Sequence, residues 1–159
     1  GISVKSSKEN FYVDCSIDTD QLAFIPDDYI NVPAEKIRIY KDLDSVSSEK
    51  ELENMRSCIA DRFGKIPEEL ENLMSVVKIR NLGSSLCFEK IIIKNGVMIA
   101  FFIFIHLSPF YRSDRLQKIV DNMNKYPKIF TFKQDNGKLR LFIKNVNSLS
   151  KALEILKLL

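Results

Sequence analysis

His106, the cysteines Cys15, Cys58 and Cys87, and the acid pairs Asp27-Asp28 and Glu68-Glu69 are the side chains whose chemistry could go beyond packing. A histidine acts as base or ligand when a carboxylate or thiol stands at ligand spacing. His106 has neither and ends an apolar run, so it is read as structural. A cysteine nucleophile needs a neighbouring base and a lowered pKa, which the sequence around Cys58 and Cys87 does not supply; packing is the simpler role. The three cysteines are odd in number, far apart and in no CxxC spacing, so neither a disulfide framework nor a zinc site is expected, and a reducing cytoplasm fits best. The acid pairs have structural explanations, Glu68-Glu69 in a first helical turn and Asp27-Asp28 in a connection. Neither "FGKIP" nor "NGKLR" is a phosphate-wrapping loop. No catalysis, no metal and no cofactor are expected.

The stretch "SEKELENMRSCIADRFGKIPEEL", from Ser48 to Leu70, is the densest in functional side chains. At about 100° per residue on a helix, Leu52, Met55, Ile59 and Phe63 share one side, while Lys50, Asn54, Ser57 and Asp61 lie opposite and face water. Asp61 also falls in the last turn before Gly64, where a negative charge opposes the helix dipole by a few tenths of a kcal/mol. Neither packing nor helix stability therefore asks for it. Either Arg62 or Lys65 offsets it internally, or a partner outside does. Gly64 and Pro67 read as a C-terminal cap and a first-turn proline that fold two helices into a hairpin.

The elements that position this stretch follow from periodicity. Residues 1–10 are polar and read as a flexible N-terminal segment, leaving residues 11–159 as a single domain. The start on Gly1, with no initiator Met or leader pattern, reads as an excised piece of a longer protein. "FYVDCSI", Phe11 to Ile17, alternates as a strand, and "IPDDYI" is the connection after it. Asn31 and Pro33 start a first helix that turns Ile37, Tyr40 and Leu43 inward. Ser48 and Glu51 make a capping box for the second. Pro67 opens the third, which carries Leu70, Leu73, Met74 and Val77 on one face and Ile79, Leu82 and Leu86 on another, so it must be sandwiched. Beyond Cys87 the period becomes strand-like. "FEKIIIK" and the run Val97 to Ile105 flank Asn95-Gly96, and "KIFTFKQ" and "LRLFIK" flank Asn136-Gly137, two hairpin signals. Ser113 caps a fourth helix with Leu116, Ile119, Val120 and Met123 inward, and Asn147 a last one. The predicted fold is α+β, a helical hairpin region packed on a mostly antiparallel sheet with two Asn-Gly hairpins. The longest apolar run, Val97 to Ile105, is far short of the ~20 residues that cross a bilayer, so no membrane span is expected.

Charge is unevenly divided. Residues 1–80 hold 11 Lys and Arg against 16 Asp and Glu, and residues 81–159 hold 13 against 5, a net −5 and a net +8. The basic half, with Lys90, Lys94, Lys118, Lys125, Lys128, Lys133, Lys138 and Arg140 near Phe130 and Phe132, supports an alternative reading as a nucleic-acid-contacting accessory domain. Lysines that guard sheet edges against pairing are the competing explanation.

"IADRFGKIPEELENLM" resembles the Asp-Arg-Phe-Gly turn region of the C-terminal domain of bacterial transcription-repair coupling factors (Mfd). "IPDDYI", "EKIRIYKDLDSVSSEKEL", "SSLCFEKI" and "SPFYRSD" extend the likeness from about Leu22 over nearly the whole chain. The resemblance implies a non-catalytic domain of an ATP-dependent DNA translocase whose motor lies elsewhere. In that family the domain packs on the protein's own N-terminal module, which binds the repair ATPase UvrA. It masks that module until the motor engages stalled RNA polymerase in transcription-coupled nucleotide excision repair. The masking contact uses acids on the helix before the Asp-Arg-Phe-Gly turn. Asp61 matches one of them, a second family acid corresponds to Cys58, and Glu53 is the nearest substitute. The candidate partner-binding residues are therefore Asp61, Glu53, Ser57, Cys58 and Arg62, with Phe63, Gly64, Pro67 and Leu73 carrying the structural motif. Cys87 stands where the family has a capping glycine, and Gly83 where alanine is commoner, which puts the local geometry of the third helix in question.

Overall fold

The computed structural model describes residues 13–103 and 113–159. The N-terminal segment 1–10, His106, and the outer ends of two expected strands (Phe11 and Tyr12; Phe104 and Ile105) lie outside the described residues. In chain order the elements are β1 (Ser16–Thr19), α1 (Pro33–Ser45), α2 (Glu49–Phe63), α3 (Glu68–Ser85), β2 (Phe88–Lys94), β3 (Val97–Phe102), α4 (Asp114–Asn124), β4 (Thr131–Asp135), β5 (Lys138–Lys144) and α5 (Leu149–Leu156). The sheet order is β1-β2-β3-β5-β4. β1 runs parallel to β2, with Ile17 opposite Ile91, and the other three pairs are antiparallel. The fold is α+β, with helices packed against a mostly antiparallel mixed sheet.

Local chemistry explains where the elements start and stop. The Ser48 hydroxyl accepts the Glu51 N–H at 3.1 Å, while the Glu51 carboxylate turns back one residue further than a capping box requires, accepting the Ser47 N–H at 2.9 Å and its hydroxyl at 3.1 Å. Ser113 caps α4 in the same way, accepting the Leu116 N–H. Asn31 does not cap α1: the flanking residue is Val32, without a side-chain bond, and Pro33 sets the first turn. Nor does Asn147 cap α5. Ser148 accepts the Lys151 N–H at 3.0 Å, and Asn147 Oδ1 instead sits against Gly96, where an added Cβ would lie 2.8 Å from it. Gly96 (φ 74°) and Asn95 (φ 54°) join β2 to β3 with both residues in the left-handed region, as do Asn136 (φ 52°) and Gly137 (φ 80°) between β4 and β5.

α3 is buried on two sides. Leu70, Met74 and Val77 enter a core with Ile39 and Leu43 of α1 and Leu52 and Ile59 of α2. Ile79 and Leu86 enter a second core formed by one face of the sheet (Ile91, Ile93, Met98, Ala100, Leu141, Ile143) together with α4 and α5. Full burial of Leu70 and of Ile79, on opposite sides of one helix, contributes about 1.5–3 kcal/mol each, so α3 ties the two cores into one unit. Gly83 lets α3 approach β1 and β2, since a Cβ there would meet Cys15 Sγ at 2.8 Å and Ile91 Cδ1 at 2.9 Å. α1 is rotated from the expected orientation. Ile39 and Leu43 point inward, whereas Ile37 is 57% and Tyr40 38% exposed. The Tyr40 hydroxyl accepts the Ile25 N–H at 2.9 Å, an anchor at the rim that keeps the ring out of the core.

Candidate docking surface on helix α2

α2 buries Leu52 and Ile59, half-buries Met55 and Phe63, and exposes Glu53, Asn54, Ser57, Cys58 and Asp61. Glu53, Ser57 and Asp61 succeed one another at four-residue spacing and share a solvent face, with Asn54 and Cys58 beside them. The flanks of the helix are committed to its neighbours. Arg56 pairs with Glu71 of α3, its ε-nitrogen 3.2 Å from the carboxylate. Arg62 reaches Glu35 of α1 at 2.7 Å, with its guanidinium 4.7 Å from the centre of the Phe63 ring. The hydrogen bond from Arg62 holds the Glu35 carboxyl below the ordinary carboxylate range, and the second oxygen of Glu35 is buried without a partner.

Arg62 is thus already occupied, and Asp61 is left alone. Its carboxylate is exposed and makes no hydrogen bond or ion pair among the described residues. Below it the chain turns on Gly64, whose N–H donates to the Ala60 carbonyl at 2.9 Å and whose own carbonyl accepts the Tyr29 hydroxyl at 2.6 Å. Gly64 has φ 96° and ψ −166°, a conformation nearly confined to glycine. Phe63 lies tilted against Tyr29 with centroids 6.0 Å apart, and Pro67 is the extended residue immediately before α3. Leu73 packs, partly buried, against the α1–α2–α3 core. Phe63 and Leu73 are thus partly buried in the hairpin, exposed Gly64 forms its turn and Pro67 precedes its second helix.

The thiols divide by position. Cys58 is exposed, while Cys15 and Cys87 are buried, and burial pushes their thiols up to about 12 and about 11, far from a nucleophile's range. Cys87 takes the left-handed conformation (φ 64°) after α3, and its N–H donates to the Ser84 carbonyl at 3.1 Å, so the helix ends there without a glycine. Among the described residues no group of three His, Cys, Asp or Glu side chains could hold a metal ion. Sequence reasoning missed Glu35 and Glu71, the acids that occupy Arg62 and Arg56. They lie 27 and 15 residues away along the chain, and no local pattern announces such pairs.

Residues 19–108, more than half of the chain, match the family model described as the TRCF domain. The chain belongs to the TRCF domain family. A transcription-repair-coupling factor of Rickettsia typhi is 34% identical over 77% of this chain, and one of Borreliella burgdorferi is 28% identical over 92%. The chain spans only 10% and 12% of those two proteins. A crystal structure of the C-terminal domain of transcription-repair coupling factor superposes with a TM-score of 0.76 at 18% identity, covering 92% of this chain and 89% of the other, which is a likeness of fold. No helix of the described residues is long and apolar enough to cross a membrane.

Proposed function

We propose that this TRCF domain is an autoinhibitory docking domain. It seats on the N-terminal module of its own parent protein and hides the surface that binds UvrA. The motor of the parent, an ATP-dependent DNA translocase acting in the cytoplasm, releases it on engaging stalled RNA polymerase. The observation that carries this reading is the Asp61 carboxylate, exposed on the outward face of α2 while the adjacent arginine is held by Glu35. A carboxylate with no partner in its own fold is available to a cation on another surface. Glu53, four and eight residues before Ser57 and Asp61 on the same face, takes the place of the acid that Cys58 lacks.

One exposed ion pair contributes about 0.2–1 kcal/mol, whereas keeping a surface 99% masked takes about 2.7 kcal/mol, so Asp61 is one part of a wider contact. α1 offers the remainder. Val32, immediately before α1, and Ile37 on it are 50% and 57% exposed, and Glu35 and Arg62 tie that helix to α2. Full burial of apolar side chains of this size contributes about 1.5–3 kcal/mol each, and with about half of each already covered docking gains roughly half of that per residue, enough with the ion pair to close the gap when tethering makes the contact intramolecular. The test is Asp61→Lys in the full-length factor, read as UvrA capture in the absence of RNA polymerase. Capture should rise. Capture equal to that of the unmodified factor would remove Asp61 from the latch.

A further inference from the structure

Four of the thirteen Lys and Arg of residues 81–159 meet at one groove. A groove of about 520 Å³ lies along the β4–β5 edge and α5, and Lys128, Lys133, Lys144 and Lys151 line it together with Phe142 and Asn145. No carboxylate lines it among the described residues. Lys151 reaches Glu154 at 3.3 Å, an exposed pair one turn apart that is worth little, and Lys133 rests its ammonium 4.5 Å from the centre of the Phe142 ring. Four ammonium groups around one opening repel one another unless an anion sits among them; guarding the β4 edge against pairing accounts for Lys133 but not for Lys128 and Lys151, which lie outside the strands.

The sheet supplies a second element. Its face turned away from the helices carries Ile92, Ile99, Phe101 and Phe142 at alternate positions, each partly exposed. Phe101 stands opposite Arg140 in the ladder, and that guanidinium lies 6.0 Å from the ring centre. The groove lysines thus adjoin an apolar strip with two aromatic rings, Phe142 beside Lys133 and Phe101 beside Arg140, which also pairs with Asp135 at 3.6 Å. Phosphate alone would use the lysines and leave the rings idle. A duplex presents its backbone but keeps its base faces stacked. A single strand offers phosphates to the lysines and base faces to Phe142 and Phe101. Phe130, by contrast, is a core residue, and Phe132 pairs in register with buried Leu141, so neither belongs to this strip.

We propose that the β4–β5 edge and the open sheet face of this domain form a binding site for single-stranded nucleic acid. The groove lysines take successive phosphates, and Phe142 takes a base. None of the residues lining the groove belongs to α2, and the phenylalanines lie on the sheet face turned away from the helices, so a strand can bind while α2 is docked or free. The inference does not rest on the docking role.

The experiment is fluorescence-anisotropy titration of the 159-residue chain with an oligothymidylate of about 12 nucleotides at several salt concentrations. Three to four phosphate contacts predict a slope of log association constant against log salt of about −2 to −3. Lys128→Glu with Lys144→Glu should flatten that slope and weaken binding at least tenfold. Lys41→Glu, a charge reversal on exposed α1, should leave the slope unchanged. Phe142→Ala should weaken binding without altering the slope, because it removes stacking and keeps the charges. Circular dichroism of each variant confirms folding. Absence of binding at low salt would overturn the proposal. So would equal loss from Lys41→Glu, or inorganic polyphosphate competing as well as the oligonucleotide, either of which marks general attraction of anions.

Discussion

The guanidinium of Arg62 lies 2.7 Å from the carboxylate of Glu35, and this contact decides the state of the residue beside it. With Arg62 drawn toward α1, the Asp61 carboxylate has no cation within its own fold among the described residues. The same pair ties the end of α2 to the start of α1.

That clamp gives a pH signature. The Glu35 carboxyl is held low chiefly by its hydrogen bond from Arg62, so its contribution is fully present above the unfolded carboxyl's pKa and is lost as pH falls through the depressed folded value. Arg62→Ala should lower Tm at pH 7, and the gap to the unmodified chain should narrow under acid conditions. Thermal unfolding followed by circular dichroism across that range checks it, and a constant gap would mean the pair does not act through ionised Glu35.

Gly64→Ala isolates a backbone effect. Nothing lies within 4 Å of the added methyl, yet φ 96° with ψ −166° is costly for any side chain, so destabilisation of about 1–3 kcal/mol is expected in urea unfolding.

Gly83→Ala is the opposite case, with an ordinary helical backbone and no room. Replacing glycine in a helix gains about 1 kcal/mol of propensity, but overpacking against Cys15 and Ile91 costs about 1–3 kcal/mol. Gly83→Ala alone should be neutral to destabilising. Adding Cys15→Ala, which removes the sulfur 2.8 Å from the new methyl, should recover part of the loss, and a double-mutant cycle in urea gives the coupling.

The thiols report on the docking face directly. In the native domain at neutral pH, a thiol reagent should modify Cys58 and spare Cys15 and Cys87, which react only on unfolding. Mass spectrometry of the intact chain should show one adduct. The bulky adduct on α2 should also weaken docking on the N-terminal module.

Ile37→Ser separates docking from folding. With Ile37 57% exposed, stability should move by no more than about 0.5 kcal/mol in urea unfolding, while affinity for the N-terminal module should fall.

How much of this could be read from the chain varies with the range of the interaction. The double-sided character of α3 was legible, because Leu70, Met74 and Val77 and then Ile79 and Leu86 state two faces in one helical period. The caps from Ser48 and Ser113 were legible for the same local reason. α1 was not. Ile37, Tyr40 and Leu43 fit helical spacing as well as Ile39 and Leu43 do, and only packing against α3 selects between the two stripes. Asn147 and Ser148 are both good caps, and the approach of Asn147 to Gly96, distant in sequence, settles which one serves. On α2 the exposure of Asp61 followed from periodicity, but its freedom depended on where Arg62 goes. The arginine's choice of Glu35 is a tertiary fact.

The central claim, that the α2 face seats on the parent's own UvrA-binding module, is tested most directly by calorimetric titration of that purified module with this domain at low salt, with UvrA as competitor. The account predicts measurable heat that UvrA abolishes and that Asp61→Lys greatly reduces. No heat together with no competition would contradict it.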